Sequence, residues 1–98
     1  MRVLGRDKLT KFIRVHRDGE AWISAWLQEV EKENWKQPRE VRRRYSTASF
    51  LGQGRVVFNV RGNRYRLVVQ VRYQAPAVVQ VRWIGTHAEY DDIDAATI

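Results

Sequence analysis

The sequence predicts a two-layer α+β domain in which an N-terminal helical hairpin packs on a C-terminal antiparallel sheet. Two periodicities support this fold class. Apolar residues in the first third recur at the spacing of amphipathic helices, whereas the second half alternates apolar and polar side chains as half-buried strands do. A chain of 98 residues suits a single domain spanning residues 1–98. We therefore expect any active site to lie on the surface of this small scaffold.

The N-terminal third predicts a short strand and then two helices. Arg2-Val3-Leu4 suits the strand, and Asp18-Gly19 interrupts the helical pattern, with Asp18 a candidate N-cap for the second helix. The apolar stripe of the first helix comprises Leu9, Phe12, Ile13 and His16. The stripe of the second comprises Ala21, Trp22, Ile23, Trp26, Leu27 and Val30. We interpret His16, Trp22 and Trp26 as core residues, and Trp83 as core or as support for it.

The remaining two thirds predict a short helix followed by a meander of strands. Pro38 fits the first turn of a helix that continues over 39–44, and the chain to Gly54 is rich in turn residues. The predicted strands cover 55–61, 64–74 and 77–85. Gly62-Asn63 supplies a hairpin turn, and Thr86 is a candidate cap for a helical turn over 86–94. We expect one sheet face to pack on the hairpin and the other to expose a basic concave surface.

Positive charge is concentrated in the middle of the chain. The formal net charge is +7, and residues 35–82 contain eleven cations against the single acid Glu40. Those cations are Lys36, Arg39, Arg42, Arg43, Arg44, Arg55, Arg61, Arg64, Arg66, Arg72 and Arg82. Arginine matches phosphate oxygens with a planar donor fork, so this distribution favours a nucleic acid or another polyanion as partner. An ordinary solvated face is the alternative.

Composition argues against several other classes of function. The chain has no cysteine and two histidines, which excludes disulfides and weighs against a zinc site, so no metal or other cofactor is expected. No apolar run has the length of a signal peptide or of a membrane span. We therefore expect a cytoplasmic protein that does not bind membranes.

Two segments of the chain resemble a known family. They are RVVFNVRGNRYRLVV over 55–69 and GTHAEYD over 85–91, preceded by WKQP over 35–38. Together with the helical hairpin they resemble the HigB-type messenger-RNA interferases of the RelE/ParE toxin superfamily. The resemblance covers nearly the whole chain. It implies a RelE-like fold and an endoribonuclease that cleaves messenger RNA, commonly on the translating ribosome. It also implies neutralisation by a HigA-type antitoxin, whose helix-turn-helix domain binds operator DNA.

Metal-independent RNA cleavage needs a base for the attacking 2′-hydroxyl, cations for the phosphorane and an acid for the departing 5′-oxygen. His87 is the best candidate for proton transfer, because imidazole titrates near neutral pH. Arg64 and Arg66, expected to share a strand face, suit the phosphate. Tyr90 can stack on a base, and Glu89 can orient His87. Each of these residues also has a purely structural interpretation.

A second set of residues is expected to contact RNA without taking part in the chemistry. It comprises Lys36, Arg42, Arg43, Asn59, Arg61, Asn63 and Arg72. Two other functions stay open at this point. One is a module that binds nucleic acid or the ribosome without cutting, and the other is a ParE-like gyrase inhibitor, because one fold can support several functions.

Overall fold

The computed structural model describes residues 1–98, which form five strands and four α-helices. Their order is β1 (Arg2–Leu4), α1 (Arg6–Val15), a 3-10 turn (Arg17–Gly19), α2 (Glu20–Lys32), α3 (Pro38–Arg44), β2 (Ser49–Phe50), β3 (Arg55–Val60), β4 (Tyr65–Arg72), β5 (Val78–Thr86) and α4 (His87–Tyr90). The predicted helices and long strands are confirmed to within a few residues. The edge strand β2 lies in the segment that we expected to be turns.

The strands form one sheet in the order β1-β5-β4-β3-β2. The α+β class is confirmed, but the expectation of a wholly antiparallel sheet is corrected. The β1 strand pairs in parallel with the start of β5, through Arg2 opposite Val78, so the sheet is mixed. The parallel pair arises because α1, α2 and α3 separate β1 from the meander, and β1 then joins the edge that β5 leaves open. The β2, β3, β4 and β5 strands pair antiparallel in sequence.

The inner face of the sheet packs on the helical hairpin and forms the main core. On the helical side, Ile23 and Trp26 are almost fully buried, and on the sheet side so are Phe58 and Leu67. The ring of Trp26 meets that of Phe58 edge-on, with 5.5 Å between centroids, an arrangement that adds to the stability gained from burial. Trp26 is therefore a core residue, as its place in the helical stripe indicates.

Residues that alternate with the core-facing ones point to the outer face of the sheet. The C-terminal segment over 93–98 covers the centre of this face. Ala95 is buried against Val57 and Val68, and Ile93 and Ile98 pack around this second apolar cluster. Arg55 is also buried there, and its Nη1 donates to the Ile98 main-chain oxygen at 2.5 Å. The outer face is therefore not the open basic surface that the sequence suggested.

A β-bulge at Arg82 changes which side chains of β5 reach the outer face. Val69 lies opposite Val81 and Val68 lies opposite Trp83, so Arg82 is the extra residue. Simple alternation from Val81 would place Trp83 on the inner face. The bulge instead places Trp83 on the outer face, where it joins the second apolar cluster.

None of the helices has the length and apolar character needed to cross a lipid bilayer.

Candidate active site

His87 is positioned by a capped helical turn at the end of β5. Thr86 is the N-cap of α4, and its Oγ1 accepts from the Glu89 backbone N–H at 3.1 Å. The Glu89 carboxylate accepts in return from the Thr86 backbone N–H at 2.8 Å, which completes a capping box. The His87 backbone N–H donates to the Arg64 carbonyl at 3.2 Å. The first residue of α4 is thus fixed to the β3–β4 hairpin.

The His87 side chain is accessible, whereas the Glu89 carboxylate is already engaged. The imidazole is 45% exposed, and its Nδ1 lies 3.8 Å from Asp91 Oδ2. The backbone and hydroxyl hydrogen bonds from Thr86 hold the pKa of Glu89 below its usual value. An ionised carboxylate that is bound in this way positions the helical turn and is poorly suited to taking up a proton.

Arg66 lies on the outer face, opposite Gly85 of β5 and Asn59 of β3. Its Nη2 donates to Asn63 Oδ1 at 2.8 Å, and its guanidinium carbon lies 5.9 Å from the centroid of the Tyr90 ring. The hairpin turn therefore orients Arg66 from one side, and Tyr90 offers an aromatic face on the other. This places Arg66, Asn63 and Tyr90 together at the same end of the sheet as His87.

Arg64 points away from this group, so the expectation that Arg64 and Arg66 share a face is corrected. Arg64 precedes β4, and its Nη1 forms an ion pair with Asp18 Oδ2 at 2.6 Å. Tyr65 Oη donates to Asp18 Oδ1 at 2.6 Å. Arg61 Nη1 donates to the Asp18 main-chain oxygen at 3.0 Å. A phosphate that approaches Arg64 must therefore compete with the Asp18 carboxylate.

Asp18 is the residue in this region whose role the sequence did not reveal. The hydrogen bond from Tyr65, followed by the contacts with Arg64, lowers the pKa of Asp18, and the same hydrogen bond raises the pKa of Tyr65. The expected role of Asp18 as helix cap is wrong. Gly19 is the N-cap of α2, and no side-chain hydrogen bond caps this helix. A contact between residues this far apart in the chain leaves no local signal in the sequence.

The other residues expected to contact RNA are spread over the surface. Asn59 lies beside Arg66, and its Nδ2 donates to the Thr47 main-chain oxygen at 3.3 Å. Arg72 ends β4, six residues and about 20 Å of extended chain from Arg66. Lys36 is exposed just before α3, and its backbone N–H donates to Glu40 Oε2 at 2.8 Å.

The arginine run of α3 presents one guanidinium without a partner. Arg42 lies over the ring of Phe50, 4.6 Å from its centroid. Arg44 forms an ion pair with Glu29, which is kept ionised by Tyr45 and Arg44 because their hydrogen bonds lower its pKa. Arg43 is exposed and makes no side-chain hydrogen bond or ion pair.

No group of three or more His, Asp or Glu side chains is arranged to hold a metal ion.

The comparison with protein families identifies the class of the chain. Residues 20–93 match the model of the HigB_toxin family, described as the RelE-like toxic component of a toxin–antitoxin system. Because the match covers more than half of the chain, the protein belongs to the HigB_toxin family, and the resemblance noted in its sequence is confirmed. A search of curated proteins found no match. Membership of this family places an antitoxin among its partners.

Proposed function

We propose that the protein is an endoribonuclease that cleaves messenger RNA on the translating ribosome, in the cytoplasm, and that a HigA-type helix-turn-helix antitoxin neutralises it. In this proposal operator DNA is bound only through the antitoxin. The observation that carries the proposal is the arrangement at the end of β4 and β5. There, an exposed imidazole, His87, is fixed at the same end of the sheet as an oriented guanidinium, Arg66.

The proposed reaction uses the substrate's own 2′-hydroxyl as nucleophile. Its oxygen bonds to the adjacent phosphorus while the bond to the 5′-oxygen breaks, which leaves a 2′,3′-cyclic phosphate and a 5′-hydroxyl. One proton leaves the 2′-hydroxyl, and one proton reaches the departing 5′-oxygen. His87 is the exposed group suited to these proton transfers. No metal or other cofactor enters this proposal.

Arg66 and Tyr90 have complementary roles in this proposal. Charge accumulates on the phosphorane oxygens in the transition state, and a cation that is already oriented stabilises that charge without reorganising. Asn63 supplies this orientation through its bond to the Arg66 guanidinium. The Tyr90 ring offers a surface on which a base beside the cleaved bond can stack. Glu89 acts through the capping box, by holding the turn that carries His87.

Arg64 and the dispersed cations are proposed to bind rather than to react. Arg64 contributes to phosphate binding only if the substrate displaces Asp18. Arg43 and Lys36 are exposed and suit the phosphates of messenger or ribosomal RNA. Such contacts weaken steeply as the salt concentration rises. Asn59, Arg61, Arg42 and Arg72 complete this proposed binding set.

The experiment is induction of the chain alone in bacteria, followed by primer extension on abundant messages. The wild type is expected to stop growth and to produce new 5′ ends within reading frames, and both effects should be absent for His87→Ala and Arg66→Ala. Arg39→Ala, which removes an exposed cation from α3, is the control and should behave as wild type. Growth arrest with intact messages would contradict the proposal. It would favour gyrase inhibition if plasmid supercoiling also changed, and a ribosome block if it did not.

A further inference from the structure

A groove of about 430 Å³ lies between α1 and the free edge of β5, next to the candidate active site. The β1 strand covers β5 only as far as Gln80, so the rest of this edge has no strand partner. The floor of the groove is apolar and is formed by Phe12, Val15, Trp83 and Ile84. Val15 is 77% exposed and is the most exposed large hydrophobic side chain of the protein.

The rim of the groove is positively charged. Lys8 and Lys11 lie three residues apart, on one face of α1. Arg82 lines the groove from β5, and its Nε donates to the Ile98 main-chain oxygen at 3.2 Å. Neither lysine forms an ion pair with a carboxylate. The one acid at the rim, Glu89, is already bound to Thr86 through the capping box. The groove therefore combines an apolar floor with two lysines that have no carboxylate partner, and this combination fits an anionic ligand that carries a planar ring.

Direct packing connects the groove to the candidate active site. Trp83 lines the groove, and its ring lies 6.1 Å from that of Tyr90. Tyr90 in turn faces the Arg66 guanidinium. Glu89 lines the groove and also caps the helical turn that begins with His87. A strand of RNA that crosses Arg66 and His87 can therefore enter the groove with a neighbouring nucleotide.

We propose that this groove is a subsite for a nucleotide that flanks the cleaved phosphate. The base lies on the apolar floor against Trp83, and Lys8 and Lys11 bind the adjoining phosphates. Stacking on an aromatic side chain and neutralisation of phosphates are the two contributions by which proteins hold single-stranded RNA. This inference rests on the proposed function, because it takes the RNA substrate as the ligand.

The test measures binding of a short single-stranded RNA in which every sugar carries a 2′-O-methyl group, so that cleavage cannot occur. Fluorescence anisotropy gives Kd over a range of salt concentrations for the wild type and for the double variant Lys8→Ala/Lys11→Ala. Loss of two phosphate contacts should weaken binding about 10-fold at low salt and reduce the slope of log K against log salt by about 1.4. The matched control is Arg14→Ala/Lys32→Ala, which removes two exposed cations that do not line the groove. The control should leave the slope unchanged.

A second variant tests the floor of the groove. Trp83→Leu should raise Kd by about 5- to 150-fold through loss of base stacking, and Trp83→Phe should restore part of the affinity. Thermal unfolding by circular dichroism identifies a Trp83 variant that fails to fold. In that case the binding data for Lys8→Ala/Lys11→Ala test the proposal. The proposal would be overturned if Lys8→Ala/Lys11→Ala and its control Arg14→Ala/Lys32→Ala had the same Kd and the same slope of log K against log salt.

Two further outcomes distinguish this proposal from alternative explanations. If the Lys8→Ala/Lys11→Ala variant keeps its RNA affinity but is no longer neutralised by the antitoxin, the groove binds an acidic peptide, and the proposal is wrong. If the wild type binds RNA through the groove but cuts no message in bacteria, the proposed nuclease function fails while the RNA-binding groove is supported.

Discussion

Truncation of Val68 to alanine tests whether the C-terminal segment over 93–98 covers the outer face of the sheet. Val68 has no exposed surface, whereas Val15 is 77% exposed. Burial of a valine side chain contributes about 1.5–3 kcal/mol, and truncation also leaves a cavity. We therefore expect Val68→Ala to lower the free energy of unfolding by about 2–3 kcal/mol. For a domain of this size, that loss corresponds to a fall in Tm of about 8–24 °C.

The control is the same substitution at the exposed position. Val15→Ala should change the free energy of unfolding by less than about 0.5 kcal/mol, because it removes little buried surface and alanine is a good helix former. Urea denaturation followed by circular dichroism measures both variants, with equal m-values as the sign of two-state unfolding. If Val68→Ala were as stable as wild type, the outer face would be open to water and the covering role of Ala95 would be wrong.

Two further predictions concern the ends of the sheet. Asp18→Asn should lower Tm at neutral pH, because it removes the ion pair with Arg64 and weakens the bond from Tyr65. Since folding lowers the pKa of Asp18, its stabilising contribution is present above its unfolded pKa and is lost as pH falls through the folded value. The difference in Tm from wild type should therefore narrow below about pH 4, and a constant difference would contradict the ion pair. Gly85→Ala would place a Cβ 2.5 Å from the end of the Trp83 ring. This substitution should lower the free energy of unfolding, measured by urea denaturation, by about 1–3 kcal/mol and should change the tryptophan emission. Wild-type values of both quantities would contradict this packing.

The local elements could be predicted because their signals are local. The helical stripe ending at Trp26 and Val30, and the alternation through Val56 and Phe58, each require only neighbouring residues to show a period. The cap at Thr86 is also visible, because Glu89 follows three residues later in a capping box. These signals predicted the α+β class and the turn that carries His87.

The features that were missed depend on contacts between distant parts of the chain. The parallel pairing of β1 with β5 could not be read from Arg2–Leu4, because a short apolar strand carries no signal for its partner. The bulge at Arg82 reverses the alternation and moves Trp83 to the outer face. The ion pair with Asp18 directs the Arg64 side chain away from the face on which Arg66 lies. For the candidate site, the sequence therefore indicated the residue types and their end of the sheet but not their directions.

The most direct test of the central claim is the rate at which the purified protein cleaves messenger RNA in the presence of ribosomes. Wild type and His87→Ala are compared, with RNA binding measured in parallel. We predict that His87→Ala cleaves about 10²- to 10⁴-fold more slowly while its RNA affinity stays within about twofold of wild type, because the phosphate-binding arginines are unchanged. Cleavage by His87→Ala at the wild-type rate would contradict an active site centred on His87.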